Sequence, residues 1–136
     1  MSDVFLDTSA WLPALDPRDS NHTAAQSRYM EAARSRAVLV TTPFVVAETH
    51  AMVLRRRGPS AGQEFLRAAL AGSHVRVVHA TPELIASAVT DWIMHFADQR
   101  FSLCDAVSFE VMRHERIRRV LTRDRHFATA GFEILS

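Results

Sequence analysis

An α/β domain built on one parallel sheet is the fold class this chain predicts, and three observations predict it. Short β-rich apolar runs alternate with longer stretches of helical periodicity along the whole chain, the order expected of βαβ units. The first run, Asp3 to Leu6, is almost unbroken in apolar residues, as a strand covered on both faces requires. Two runs lead into aspartate: Val4, Phe5 and Leu6 end at Asp7, and Val120 to Thr122 deliver Asp124. In one parallel sheet both acids emerge at the carboxyl edge, where open α/β sheets place their ligand sites. The expectation is a central parallel five-stranded sheet flanked by helices, with an acidic site at that edge.

Taken in order, the first strand gives way to Asp7, Thr8 and Ser9, which also read as helix-capping residues before Ala10, Trp11 and Leu12. Polar punctuation from Asp16 to Asn21 contains Pro17, and a helix then runs from Asn21 or Thr23 to about Arg36. Ala37 to Val40 is the second strand. Thr41 or Thr42 caps the next helix with Pro43 in its first turn, and this helix runs from Phe44 to about Arg57 before Gly58 and Pro59 stop it. The run Arg55 to Arg57 suits the negative end of the helix dipole and reads as a solvated helix end. Ser60 to Leu70 forms a further helix closed by Gly72, and Val75 to Val78 is the third strand. Thr81 and Pro82 open a helix to about Phe96, whose core face is Leu84, Ile85, Ala88, Val89 and Trp92. Ser102 starts another with the capping-box spacing SLCD, followed by strands at Val120 to Thr122 and Phe132 to Leu135.

Composition narrows the chemistry. A length of 136 residues suits one domain over 1–136. All 16 basic residues are arginine, so a Schiff base or a lysine phosphate clamp is unavailable. Cys104 is the only cysteine, which excludes an internal disulfide and a thiolate zinc cluster and fits a cytoplasmic protein. No apolar run approaches the roughly 18 residues of a membrane span, and the acidic amino terminus lacks a signal-peptide pattern. If four of the 15 acids are sequestered at a site, the remaining charge is 16 minus 11, or +5, and the outer surface is basic.

Four acids are candidates for that site: Asp7, Glu48, Asp105 and Asp124. Glu48 has Phe44, Val45, Ala51 and Met52 as helical neighbours, so it is expected inside an apolar stripe with a cationic partner to offset desolvation. Asp105 reads either as the third residue of a capping box or, beside Ser108 and Phe109, as an inward-pointing acid. Asp91 and Asp98 read as surface residues, with Asp98 a further candidate. Oxygen ligands of this kind select magnesium or manganese over zinc or copper. The seven histidines show no paired helical zinc spacing and read mostly as surface residues. Phosphodiester hydrolysis is the reaction that uses such a site most directly.

At these motifs the chain resembles a known family. Asp7 in FLDTSA, Glu48 in TPFVVAETHAMVLRR, Asp105 in FSLCDAVSFEVMRHERI and Asp124 in RVLTRDRHFATAGFEIL are similar to the four acidic motifs of PIN domain nucleases, especially the VapC-type toxin ribonucleases. The resemblance implies that the four acids converge on Mg2+ or Mn2+ and that Thr8, Ser9 or Thr122 support them. It also implies an RNA substrate, a cognate antitoxin that occludes the site, and a homodimer. Some relatives carry a further acid just after the fourth aspartate, where this chain has Arg125 and His126. A stand-alone PIN nuclease acting in RNA processing or on DNA would use the same acids, and a noncatalytic binding module would use them as caps and surface charges. A phosphorylated Asp7 fits poorly, because that chemistry uses a lysine, and aspartate phosphatases need a second acid where Ser9 stands.

Overall fold

The computed structural model describes residues 3–72 and 74–135. Strands β1 (Val4–Leu6), β2 (Leu39–Thr41), β3 (Val75–Val77), β4 (Arg119–Leu121) and β5 (Glu133–Ile134) form one sheet in the order β3-β2-β1-β4-β5. Every pairing is parallel, and Phe5 of the central β1 stands opposite Val40 on one side and Val120 on the other. The expected five-stranded parallel sheet is therefore present. Its strands are so short that the helices packed on the sheet must supply most of its stability.

The helices are α1 (Thr8–Leu15), α2 (His22–Arg34), α3 (Pro43–Leu70), α4 (Pro82–Ala88), α5 (Leu103–Glu115) and α6 (His126–Thr129). From β1 the chain steps outward to β2 and β3, then crosses to β4 and steps the other way to β5. With right-handed crossovers this order places α1 to α3 on one face and α4 to α6 on the other. The aromatic contacts follow that division. Trp11 of α1 meets Phe65 of α3 edge-on at 4.9 Å, while Phe127 of α6 lies between Phe5 and Phe109 of α5, at 6.2 and 4.9 Å. Phe109 is wholly buried, and truncating such a side chain costs about 3–5 kcal/mol.

The helices expected over 44–57 and 60–70 are the two arms of α3, separated where Gly58 breaks the helical path with φ 89° and ψ 178°, a conformation that favours glycine. Past that break, Gly62 passes so close to His50 that an added Cβ would stand 3.1 Å from its ring nitrogen. One helix differs from the sequence reading. The helix expected to continue from Thr81 to Phe96 is α-helical only to Ala88, and Val89–Met94 is a π-helical turn. An inserted residue of that kind shifts the helical phase by one position, which a reading at a fixed period does not resolve. Within this turn, buried Trp92 donates from Nε1 to Glu110 Oε1 at 3.0 Å.

The arginine run at 55–57 is exposed at a helix end, just before the break at Gly58, as the sequence reading has it, and two of its members also make contacts there. Arg56 bonds Asp19 at 3.1 Å, Arg57 donates to the Leu15 carbonyl at 3.3 Å, and Arg18 donates to the Arg56 carbonyl at 3.0 Å. These contacts tie α3 to the turn after α1. No helix among the described residues is long and apolar enough to cross a membrane.

Candidate active site

β1 and β4 are neighbours whose onward connections run in opposite directions, so the crevice between their carboxyl ends is a topological switch point. Asp7 leaves β1 there, and its N–H donates to the carbonyl of Leu121, the last residue of β4, at 3.1 Å. The Asp7 side chain makes no capping hydrogen bond across α1, so it is available to the crevice. Its partners are hydroxyls: Thr122 Oγ1 and Ser9 Oγ both donate to Oδ2, at 2.8 and 2.9 Å.

The direction of those hydroxyls is set by backbone. Asp124 N–H donates to Thr122 Oγ1 at 3.0 Å and Arg123 N–H donates to Ser9 Oγ at 2.8 Å, so each hydroxyl accepts from the backbone and spends its single proton on Asp7. Thr8 does not share this role through its side chain. Its hydroxyl faces α3, 3.0 Å from Thr49 Oγ1, and only its backbone N–H supports the Asp7 carboxylate.

Burial pushes the Asp7 carboxyl above its usual value; the Thr122 and Ser9 hydroxyls pull it back, and the charge of Asp105 pushes it further up. Asp105 is indeed the third residue of a capping box, with Ser102 N–H donating to its Oδ2 at 3.1 Å and its own N–H donating to Ser102 Oγ at 3.0 Å. It is also half-buried and turned toward the start of α6, where His126 Nδ1 lies 3.3 Å from Oδ2. The two readings of Asp105 are both true. Asp124, half-buried, accepts from the His126 N–H at 2.9 Å.

Glu48 corrects an expectation. It is exposed, and the buried residues of its turn are Val45, Val46 and Thr49, so its charge stays hydrated and needs no buried cation. Glu48 is nevertheless close enough for its charge to act on the site's edge. The half-buried Cys104 thiol is pushed up to about 12 by burial first and then by the charges of Glu48, Asp7 and Asp105. Asp98 is exposed, with its neighbour Gln99 as its hydrogen-bond partner at 3.4 Å, and none of its described contacts reaches the cluster.

His126 was not singled out from the sequence. Its signal is the pair Asp124-x-His126 directly after a strand, which sets a carboxylate and an imidazole on one turn. Asp105, Asp124 and His126 each offer a donor atom within 4.8 Å of the others. Among the described residues, His126 is the ion-pair partner of Asp105 and Asp124, and Asp7 is held by hydroxyls rather than by an arginine. Carboxylates gathered with so little neutralising charge, one of them with a raised pKa, are the donor chemistry that a hard divalent cation fits.

The fold and this site define a PIN domain. The PIN domain family model matches residues 4–133, and the chain belongs to that family. Among named proteins it is 32% identical over 129 residues to the 23S rRNA-specific endonuclease VapC20 of Mycobacterium tuberculosis, covering 95% of each chain. It is 33% identical over 126 residues to ribonuclease VapC26 of the same organism, covering 92% of this chain and 90% of that one. The crystal structure of Mycobacterium tuberculosis VapC20, described as a Sarcin-Ricin loop cleaving toxin, superposes with a TM-score of 0.83 at 30% identity over 96% of each chain. FitAcB from Neisseria gonorrhoeae shares the fold, with a TM-score of 0.64 at 14% identity over 100% of this chain and 97% of the other.

Proposed function

We propose that this chain is a divalent-metal-dependent endoribonuclease that hydrolyses looped or single-stranded RNA and serves as the toxin of a toxin-antitoxin pair. The observation that carries the reading is the buried Asp7 carboxylate at the switch point, held by hydroxyls and pushed up by the charge of Asp105, which itself stands beside Asp124 and His126. The four acids Asp7, Glu48, Asp105 and Asp124 would hold Mg2+ or Mn2+, which when bound supplies Lewis acidity to a phosphoryl oxygen and an activated water. Ser9 and Thr122 keep the Asp7 carboxylate oriented before substrate arrives. Arg123 and Arg125 are exposed on either side of Asp124, where guanidinium forks meet backbone phosphates.

A loop or single strand is the favoured substrate because its splayed backbone enters an open acidic crevice that a duplex does not. The names of the two mycobacterial relatives support RNA over DNA. An antitoxin would silence the site most directly by placing a cation among the four acids.

The test is cleavage of a labelled transcript of a large-subunit rRNA stem-loop by purified protein in Mg2+ or Mn2+, with a chelator arm and an Asp7→Asn arm. Cutting that disappears in both arms is expected. Metal-bound wild type that leaves every RNA intact overturns the reading. Growth arrest on expression, relieved by Asp7→Asn, tests the toxin assignment separately.

A further inference from the structure

Asp124 and His126 are separated by one residue past the end of β4, the His126 side chain meets Asp105 of α5, and one donor atom from each of the three lies within 4.8 Å of the others. The His126 Nδ1 atom stands 3.3 Å from Asp105 Oδ2 and 3.5 Å from Asp124 Oδ1. Two donors that share one ion at about 2.1 Å lie roughly 3.0 to 3.4 Å apart, according to whether the angle between them is octahedral or tetrahedral. The observed separations are on that scale.

Each member of the trio has its own support. The His126 ring is held edge-on to Phe101, with centroids 5.3 Å apart and planes at 81°, and Phe101 is buried and in turn packs on Phe109 at 5.0 Å. Asp105 is set by the Ser102 capping box, and Asp124 by the His126 N–H. Donors braced by groups outside the cluster, as His126 is by Phe101 and Asp105 by Ser102, are characteristic of metal sites. A hydrogen bond alone accounts for the contact with Asp105, but one Nδ1 proton serves one acceptor well. Two carboxylate oxygens gathered about the same nitrogen suit an ion seated among all three.

We propose that His126 is a nitrogen ligand, with Asp105 and Asp124, to the divalent ion of this site, and that it biases the site toward Mn2+ over Mg2+. The inference rests on the reading that the acids hold such an ion, and it changes the donor set from all-oxygen to one nitrogen and two oxygens. Mn2+, a first-row transition ion, accepts an imidazole nitrogen among oxygen ligands more readily than Mg2+, which keeps to oxygen and retains its waters.

The test uses the full chain stripped of metal and reloaded with Mn2+. Pulsed EPR of the Mn2+ reads 14N coupling from a coordinated imidazole, and calorimetric titration reads Mn2+ and Mg2+ affinities. The variants are His126→Asn, which keeps an N–H donor near the Nδ1 position, and His126→Asp, which offers an anionic oxygen. Wild type should show the 14N coupling and His126→Asn should lose it. Mn2+ affinity in His126→Asn should fall by at least about tenfold, a scale that even outer-shell partners reach, while Mg2+ affinity changes far less. His126→Asp should bind Mg2+ more tightly than wild type does and lose the preference for Mn2+. Mn2+ bound to wild type without 14N coupling overturns the assignment and leaves the nuclease reading standing, as does coupling that persists in His126→Asn. Failure of wild type to bind either ion overturns both.

Discussion

Asp7 and Asp16 sit at the two ends of α1 and are almost equally shielded from solvent, at 6% and 4% exposure, yet their charges are treated in opposite ways. Asp16 accepts from the Arg18 N–H at 3.0 Å and lies 3.4 Å from the Arg18 guanidinium and 3.7 Å from that of Arg56. The Arg18 N–H, ahead of the arginine charges, holds its carboxyl below the usual value. Asp7 has hydroxyls for partners and another carboxylate for a neighbour, and burial pushes its carboxyl up. The helix dipole favours the reverse outcome, because Asp7 is at the positive end, but that contribution is about 0.3–1 kcal/mol against several for desolvation. Low exposure by itself therefore does not separate two such acids. Two things differ: Asp7 lies deeper in the protein, so desolvation weighs more on it, and the fold gives Asp16 neutralising groups that it does not give Asp7.

Exchanging the two carboxylates for amides is the strongest way to break this comparison. Asp7→Asn should lower RNA cleavage by at least about a hundredfold, the scale of removing one charge-stabilising group, with no loss of thermal stability. Asp16→Asn should retain cleavage and lose on the order of 1–2 kcal/mol, as expected for weakened hydrogen bonds to a charged acceptor. Cleavage assays and urea melts of both variants check this, and a stable, inactive Asp16→Asn would collapse the distinction.

Next in size is the effect of Thr122→Val and Ser9→Ala, which remove the two donors that aim Asp7. Each should weaken Mn2+ affinity about tenfold to a hundredfold, measured by titration calorimetry. Metal itself should act on one acid and ignore the other. At about a hundred times its Kd, Mn2+ should stabilise wild type and Asp16→Asn by roughly 2.7 kcal/mol and Asp7→Asn by clearly less, read from thermal melts.

The smallest effect lies in the pH profile of the metal-free protein. Asp7 binds its proton more tightly folded than unfolded, so stability falls as pH rises from 3.8 through its raised value. Asp16 and Asp19, both held low, behave oppositely: their stabilisation is complete above 3.8 and is lost as pH falls below it. Asp7→Asn should gain on wild type as pH rises past 3.8, and the deficit of Asp16→Asn should shrink as pH falls below it. Melts across that range measure both slopes.

Particular residues show how far sequence reasoning reached. The strand order was not readable, but the placement of Asp7 and Asp124 after strands was, and the sheet brings those two strands side by side. Asp105 was legible as a cap because capping is local, whereas its approach to His126, 21 residues away, is not local. For Glu48 the apolar stripe was genuine, but the rotation of α3 turned Val45 and Thr49 inward and left the acid outside. The π-helical turn around Trp92 escaped because patterning assumes a fixed period.

What the sequence determined by itself is what depends on neighbours in the chain: the alternation of strand and helix, the acids at strand ends and helix starts, the break at Gly58, and a chemistry without lysine. What only the tertiary structure decided is which charge meets which partner. The Thr122 hydroxyl reaches Asp7 across 115 residues, and Arg56 reaches Asp19 across 37. Periodicity and capping act within a turn or two, while desolvation and Coulomb attraction depend on distance through space, which the packing of α1, α3 and α5 on the sheet sets.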